Sequence, residues 1–256
     1  MIRVLAIGDV VGAPGCEFVR QRLPGIKKQL DADFVIVNGE NSAVGNGILP
    51  SSAGHLLDSG ADVITTGNHV FKRREIYPFL EETPNLIRPG NYPDSCPGSG
   101  VYLYDGGRFT AAVINLLGTV YMDPLESPFS AADRLLGQID TPLVFVDIHG
   151  EATSEKLALA YYLDGRVSAV FGTHTHVQTA DEQILPGGTG CITDLGMTGP
   201  VRSILGVKPE CVIARFTTCM PTRFETAKDP CVLCGALFTV EEKSGQCAQI
   251  ERIRFE

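Results

Sequence analysis

The sequence predicts an α/β fold whose strands run parallel and deliver their carboxyl ends to one edge. Two observations carry this. Short apolar runs alternate with segments of helical pattern through the first half of the chain, which argues for parallel strands joined by crossover helices. Five apolar runs also end in carboxylate, carboxamide or imidazole residues: Asp9 in IGDVVG, Glu40-Asn41 in NGEN, Asn68-His69 in TTGNH, His149 in HGE, and His174 and His176 in THTH. Metal ligands must converge from distant sequence, and parallel strand ends are a common way to bring them together.

The elements follow in order. IRVLAIG is an apolar run, read as a buried strand. A helix follows over residues 14–30, with Pro14 in its first turn. FVIVNG is the next strand, and PSSAGHLLDS reads as a helix with Pro and Ser at its start. DVITTGN is the third strand and FKRREIYPFLEE the third helix. Residues 89–107 are rich in Pro, Gly, Ser and Asn. VYLYDGGRFTAAVINL reads as a β-hairpin turning at Asp105-Gly106-Gly107. FSAADRLLGQI is helical and LVFVDI a strand. EATSEKLALAYYLDG is an amphipathic helix with Thr153 or Ser154 near its start and Gly165 just past its end. VSAVFGTHTH reads as a buried strand whose extended course includes both histidines. The last third reads as short strands, the loop PGGTG, and a hairpin of VLCGALFTVEE and CAQIERIRF about KSGQ. The alternation points to a doubly wound sheet. With no internal repeat or low-complexity linker, residues 1–256 read as a single domain.

Composition narrows the function. The 256 residues are 44% hydrophobic and 20% charged, an ordinary globular balance. No apolar stretch approaches the ~18–20 residues of a membrane span. IRVLAIGD is too short for a signal sequence, so a soluble, cytoplasmic protein without a membrane partner is expected. Net charge is 21 − 30 = −9, which disfavours gripping duplex nucleic acid through its phosphates. Eight cysteines without an export signal are expected to be reduced and mostly buried. Cys231 and Cys234 form a CxxC, but on a strand they would face opposite sides, so no zinc clip with Cys219 and Cys247 is expected. The hairpins at residues 101–115 and 232–255 offer edge strands through which copies could pair into a homo-oligomer.

Each strand-end residue has a structural reading. Asp9 could cap a helix or form a turn. NGENSAVGNG could be a polar loop, and GNH a turn. His149 could be a hydrogen-bonded strand end. His174 and His176 are the stronger pair, because i and i+2 on extended chain aim both imidazoles the same way. Packing alone does not account for five such ends. Read as a two-metal centre, Glu40 can bridge two cations, Asn41 and Asn68 supply neutral oxygens, and His69 stands beside a ligand as a proton donor. His55 carries no role. Oxygen and imidazole donors without thiolate suit Fe, Mn, Co or Zn. Two divalent ions, two carboxylates and a hydroxide leave a charge of about +1, which attracts a phosphate ester.

The order Asp9, NGEN, TTGNHVF, HGEATSEK and GTHTHVQTADEQILPGGTG resembles the YmdB-like branch of the calcineurin-like metallophosphoesterase superfamily. LIRPGNYP, SPF, ITDLGMTGP and RFETAK extend the resemblance over residues 7–228. It implies a four-layer α/β/β/α sandwich with mixed sheets. It also implies a di-iron or similar centre, two metal ions per chain, and phosphodiesterase activity on 2′,3′-cyclic nucleotides. By motif, one metal would take Asp9, Glu40, Asn41 and His176, and the other Glu40, Asn68, His149 and His174. His69 would be the general acid for attack by a metal-bridged hydroxide. GDVVG lacks the Asp-x-His of most superfamily members, so the first site is richer in oxygen, favouring iron or manganese. Rival readings are a phosphomonoesterase or phosphoprotein phosphatase using the same site, and a non-catalytic nucleotide sensor.

Overall fold

In a computed structural model, which describes residues 1–228 and 230–256, the chain folds into two mixed β-sheets and six helices. The order is β1 (Ile2–Ile7), β2 (Asp9–Val10), α1 (Gly12–Gln29), β3 (Phe34–Asn38), α2 (Pro50–Asp58), β4 (Val63–Thr65) and α3 (Ile76–Glu82). Then come β5 (Val101–Asp105), β6 (Thr110–Leu117), α4 (Pro128–Leu136), β7 (Val144–His149), α5 (Thr153–Tyr162) and β8 (Ala169–Thr173). The last third holds β9 (Gln183–Ile184), β10 (Gly190–Ile192), β11 (Met197–Pro200), α6 (Pro209–Thr218), β12 (Cys231–Val240) and β13 (Cys247–Phe255). No helix among the described residues is long and apolar enough to cross a membrane.

The first sheet runs β2-β11-β12-β1-β3-β4, with β13 on the far side of β12, and the second runs β5-β6-β7-β8-β10-β9. β1, β3 and β4 are mutually parallel, as are β6, β7 and β8. The hairpin strand β12 enters antiparallel beside β1, with Ile2 opposite Val240 and Ile7 opposite Gly235.

Alternation along the strands sorts side chains into three cores. Leu5, Ile7, Val35 and Val37 face α1 and α2. Ile2, Val4, Ala6, Phe34 and Ile36 face inward, against Ala111, Val113, Phe145 and Phe171 of the other sheet. Ala112, Ile114, Val144, Val146 and Ile148 face outward, toward Ala131, Leu135 and Leu159 of α4 and α5. Three cores between four layers make an α/β/β/α sandwich, as the family resemblance implied. The doubly wound sheet suggested by simple alternation is corrected: each sheet carries helices on one face only, because its other face is apolar and packs on its partner.

Local departures have local reasons. The third helix spans only Ile76–Glu82, since Pro78 is tolerated in a first turn and not in an interior; residues 71–75 form turns. Helix α6 was not expected from the sequence; Pro209 opens it, and Cys219 closes it in a left-handed conformation at φ 55°. β8 stops at Thr173, so the extended course predicted through His174 and His176 is wrong: these residues have φ of 101° and 64°.

Candidate metal centre

The seven predicted ligands and His69 meet where the carboxyl ends of both sheets come together. The first sheet supplies the oxygen-bearing side chains: Asp9 on β2, Glu40 and Asn41 just past β3, and Asn68 just past β4. The second supplies the imidazoles: His149 ends β7, and His174 and His176 follow β8. Asp9, Glu40 and His149 are fully buried.

The outer nitrogens of His149 and His176 are hydrogen-bonded, and that of His174 faces a carboxylate without hydrogen-bond alignment. His149 Nδ1 lies 2.9 Å from Thr173 Oγ1, which itself donates to Asp147 Oδ1 at 2.8 Å. A hydroxyl has one proton, so Thr173 accepts from His149 Nδ1–H, and His149 Nε2 keeps its lone pair. His176 Nδ1 donates to Leu205 O at 3.1 Å. His174 Nε2 lies 3.2 Å from Glu151 Oε2, which leaves Nδ1 facing inward. Partners of this kind fix tautomer and ring orientation in metal sites.

The inner nitrogens face one another. His149 Nε2 is 3.1 Å from His174 Nδ1 and 3.1 Å from Asn68 Oδ1. Glu40 Oε1 stands 3.7 Å from the same His149 nitrogen. Ligands about 2.1 Å from a cation stand roughly 3 Å apart when they meet at right angles. Three nitrogen and oxygen donors at this spacing suit a cation once the proton shared between the imidazoles is displaced. Beside them, His176 Nε2 is 3.7 Å from Asp9 Oδ1 and 3.1 Å from Asn41 Nδ2. A half-turn of the Asn41 carboxamide presents its oxygen to the same point.

Electrostatics point the same way. Among the described residues, neither Asp9 Oδ1 nor Glu40 Oε2 has a hydrogen-bond partner, although both atoms are buried. Burial raises the Asp9 carboxyl well above the usual carboxylate range, with Asp194, Asp147 and Glu40 adding to it against the His174 N–H. Burial likewise pushes Asp147 up to about 6 and holds His149 well below the usual imidazole range. The buried carboxyls of Asp9 and Glu40 thus stand 3.9 and 3.7 Å from the His149 ring nitrogens, Asp147 lies behind it through Thr173, and buried Asp194 is paired with Lys156. Unpaired buried charge is costly, and a bound cation would relieve it. Among the described residues, no group of three drawn only from His, Cys, Asp and Glu is placed to hold an ion. Each proposed set contains three such residues, with Asp9 and Glu40 3.7–3.9 Å from the imidazole nitrogens, so an ion would have to draw these side chains inward; the donor types, oxygen and imidazole, fit the implied ions.

His69 differs from the others. Its backbone N–H donates to Glu40 Oε1 at 2.7 Å, and its Nδ1 lies 2.9 Å from the same oxygen without hydrogen-bond alignment. The side chain is 28% exposed while Nδ1 is buried.

The supporting residues were not singled out from sequence. Asn38 Nδ2 donates to Asp147 Oδ2 at 3.0 Å, and Thr65 donates to the same carboxylate, so the two sheets are tied together beneath the site. Asp194 Oδ2 accepts from Lys156 Nζ at 3.0 Å and from Thr175 N and Oγ1 at 3.1 and 2.8 Å. That holds the residue between His174 and His176. Polar residues interrupting apolar runs (Asn38 in FVIVN, Asp147 in VFVDI) were the available signal. Leu205 gave none: its carbonyl is aimed by a turn at φ 53° that a leucine rarely adopts.

A family model described as YmdB-like protein matches residues 5–253. The chain is 47% identical over 254 residues to the 2′,3′-cyclic-nucleotide 2′-phosphodiesterase of Bacillus subtilis (strain 168), covering 98% of this chain and 96% of that one. A Thermus thermophilus protein of known crystal structure superimposes with a TM-score of 0.94 at 42% identity over 99% of both chains. A crystal structure described as a novel phosphatase of Mycoplasma pneumoniae gives 0.93 at 34% identity, covering 99% of this chain and 93% of that one.

Proposed function

Because the chain belongs to the YmdB-like family, we propose that it is a metal-dependent phosphodiesterase acting on 2′,3′-cyclic nucleotides. It is a phosphoester hydrolase, and the Bacillus relative's activity supports the diester class. The observation that carries the metal reading is the gathering of imidazole and carboxamide donors beside two buried carboxylates, Asp9 and Glu40, each with one oxygen that lacks a hydrogen-bond partner.

Asp9, Glu40, Asn41 and His176 would hold one ion, and Glu40, Asn68, His149 and His174 the other, with Glu40 shared. Iron or manganese suits this oxygen- and imidazole-rich set. Bound there, the ions would make a water nucleophilic near neutral pH and hold the phosphate oxygens. The chain's own contribution is positional and acid–base. Thr173, Glu151 and Leu205 hold the imidazoles, and the fold keeps Asp9 and Glu40 out of water. His69, its backbone N–H held by Glu40 and its side chain partly exposed, donates a proton to the departing 2′ oxygen. General acid help of this kind contributes roughly 10²–10⁴ in rate.

The test joins elemental analysis to turnover of 2′,3′-cyclic AMP, with and without added Mn²⁺ or Fe²⁺, in wild type and His69→Ala. About two metals per chain in both proteins, with diesterase activity lost from the variant, is the expected result. Loss of metal from His69→Ala would make His69 a ligand instead, and no metal with no turnover after reconstitution would overturn the reading. The phosphatase description of the Mycoplasma relative supports a second reading, monoester hydrolysis at the same centre. 4-Nitrophenyl phosphate in the same assay separates the two.

A further inference from the structure

Two loops leave the sheets at the edge that carries the candidate centre, and a cavity lies between them. Leu86 runs beside Ile64 in the parallel sense, so the chain emerges at residues 88–92 on the edge where β4 delivers Asn68. β6 runs parallel to β7 with Leu117 beside His149, so loop 118–127 emerges there too. Asn91 joins the loops: its Nδ2 donates to Leu117 O and Glu126 O at 2.8 and 3.0 Å, and its Oδ1 accepts from Leu117 N at 2.9 Å. The Tyr92 ring meets Phe71 edge-on, with centroids 5.1 Å apart, and Phe71 lies two residues beyond His69.

The cavity holds about 290 Å³, near the lower end of the roughly 300–1,000 Å³ of small-molecule sites. Tyr92, Pro93 and Leu125 give it an apolar wall, and Asp94, Glu126 and Arg134 a polar one. Arg134 is 2.8 Å from Glu126 and 3.9 Å from Asp94. Arg134 is hydrogen-bonded to Glu126 and to Gly90 O, while the Asp94 carboxylate, 92% exposed, has no hydrogen bond to the guanidinium, so hydrogen-bond acceptors are in excess on the polar side. Burial, with the carboxylates of Asp123 and Glu40 adding to it, pushes the Tyr92 hydroxyl up to about 12, so it remains a donor at neutral pH.

We propose that this cavity takes the nucleobase of the substrate, its face against Tyr92 and Leu125 and its exocyclic amino group on the carboxylates of Asp94 and Glu126. This rests on the diesterase reading above and adds the part of the substrate that the metal centre does not recognise. An aromatic ring and an aliphatic side chain suit the flat face of any base. The acceptor excess favours adenine, which offers an amino donor, over uracil, which offers a carbonyl at the corresponding position.

The test uses Leu125→Arg, which fills the cavity from a half-exposed loop position, and Tyr92→Ala. Adenosine, which carries no phosphate, is the binding probe, followed by saturation-transfer NMR against uridine. Turnover is compared on 2′,3′-cyclic AMP and on bis(4-nitrophenyl) phosphate, which has no base. Wild type should bind adenosine in preference to uridine. Both variants should lose that binding and raise KM for 2′,3′-cyclic AMP about 10-fold or more, while hydrolysis of the aryl diester is kept. Absence of adenosine binding, equal binding of uridine, or equal loss of both substrates in Leu125→Arg would each overturn the proposal. Adenosine binding that Leu125→Arg abolishes, in a wild type that cleaves neither diester, would support the cavity and remove the diesterase reading.

Discussion

The imidazole of His149 rests on the backbone of Gly67. A Cβ on Gly67 would stand 2.2 Å from His149 Cδ2 and 2.4 Å from Nε2, the nitrogen that faces the candidate centre. Gly67→Ala must therefore tip the ring or push β4 away from β7. Overpacking of this kind costs about 1–3 kcal/mol, and a ring displaced by about 1 Å can cost 100-fold in rate. The variant should fold with a lowered Tm and retain less metal, with turnover reduced about 100-fold. Full metal content with normal turnover would show that the ring has room to move and that its placement is not critical.

Glu151 is the partner of His174 Nε2 and is about half exposed, at 53%. Its removal should leave fold stability within about 0.5 kcal/mol of wild type, as for most surface positions. Metal affinity should nevertheless fall about 10–100-fold at one of the two positions, since outer partners orient ligands and raise their basicity. Glu151→Gln keeps an acceptor oxygen and should lie between wild type and Glu151→Ala. Chelator competition measures the affinities, and long-range ¹H–¹⁵N spectra of the metal-free protein report the His174 tautomer. A tautomer unchanged in Glu151→Ala would remove Glu151 from this role.

Metal binding should release a proton from Asp9. Burial raises its carboxyl well above the ordinary 3.8, so at pH values between the unfolded and folded pKa the metal-free folded protein holds a proton that the unfolded chain has lost. For the metal-free form, this contribution to stability is present below the unfolded pKa and is lost as pH rises through the folded one. For the metal, the sign is opposite: the cation must displace the proton, so affinity rises with pH through the Asp9 pKa. Calorimetric titration with Mn²⁺ at mildly acid pH, in buffers of different ionisation enthalpy, should give different apparent heats. Identical heats would mean that Asp9 is already ionised.

Much of this was legible in the sequence because strand ends advertise themselves. An apolar run stopping at Asp9, Glu40, Asn68 or His149 marks both a strand and a residue held at its edge. The pairing of two sheets was not legible from alternation alone. Runs such as FVIVN are buried on both faces whether the second neighbour is a helix or another sheet. The inward turn of His174 and His176 was missed because it depends on left-handed backbone, which is held by distant groups: Asp9 on the His174 N–H, Asp194 on Thr175, and Leu205 on the His176 ring. Such tertiary constraints override the local preference for an extended course.

The Lys156–Asp194 pair gives the sharpest test of those constraints. Both side chains are 1% exposed and their charged atoms are 3.0 Å apart. Lys156→Met leaves a buried carboxylate that still accepts from Thr175 and Gly196 but has lost its counter-charge. Removing one partner of a buried pair costs about 3–5 kcal/mol. The double variant Lys156→Met/Asp194→Asn removes both charges and should recover part of that loss, while the segment carrying His174 and His176 stays loosened. Urea unfolding of the metal-free proteins measures the stabilities without a contribution from bound ions. Metal content of the double variant then separates the two effects. Recovered stability with reduced metal retention is expected, because a neutral carboxamide in place of the Asp194 carboxylate would hold Thr175 less firmly. Full recovery of both would mean that the pair serves the fold alone.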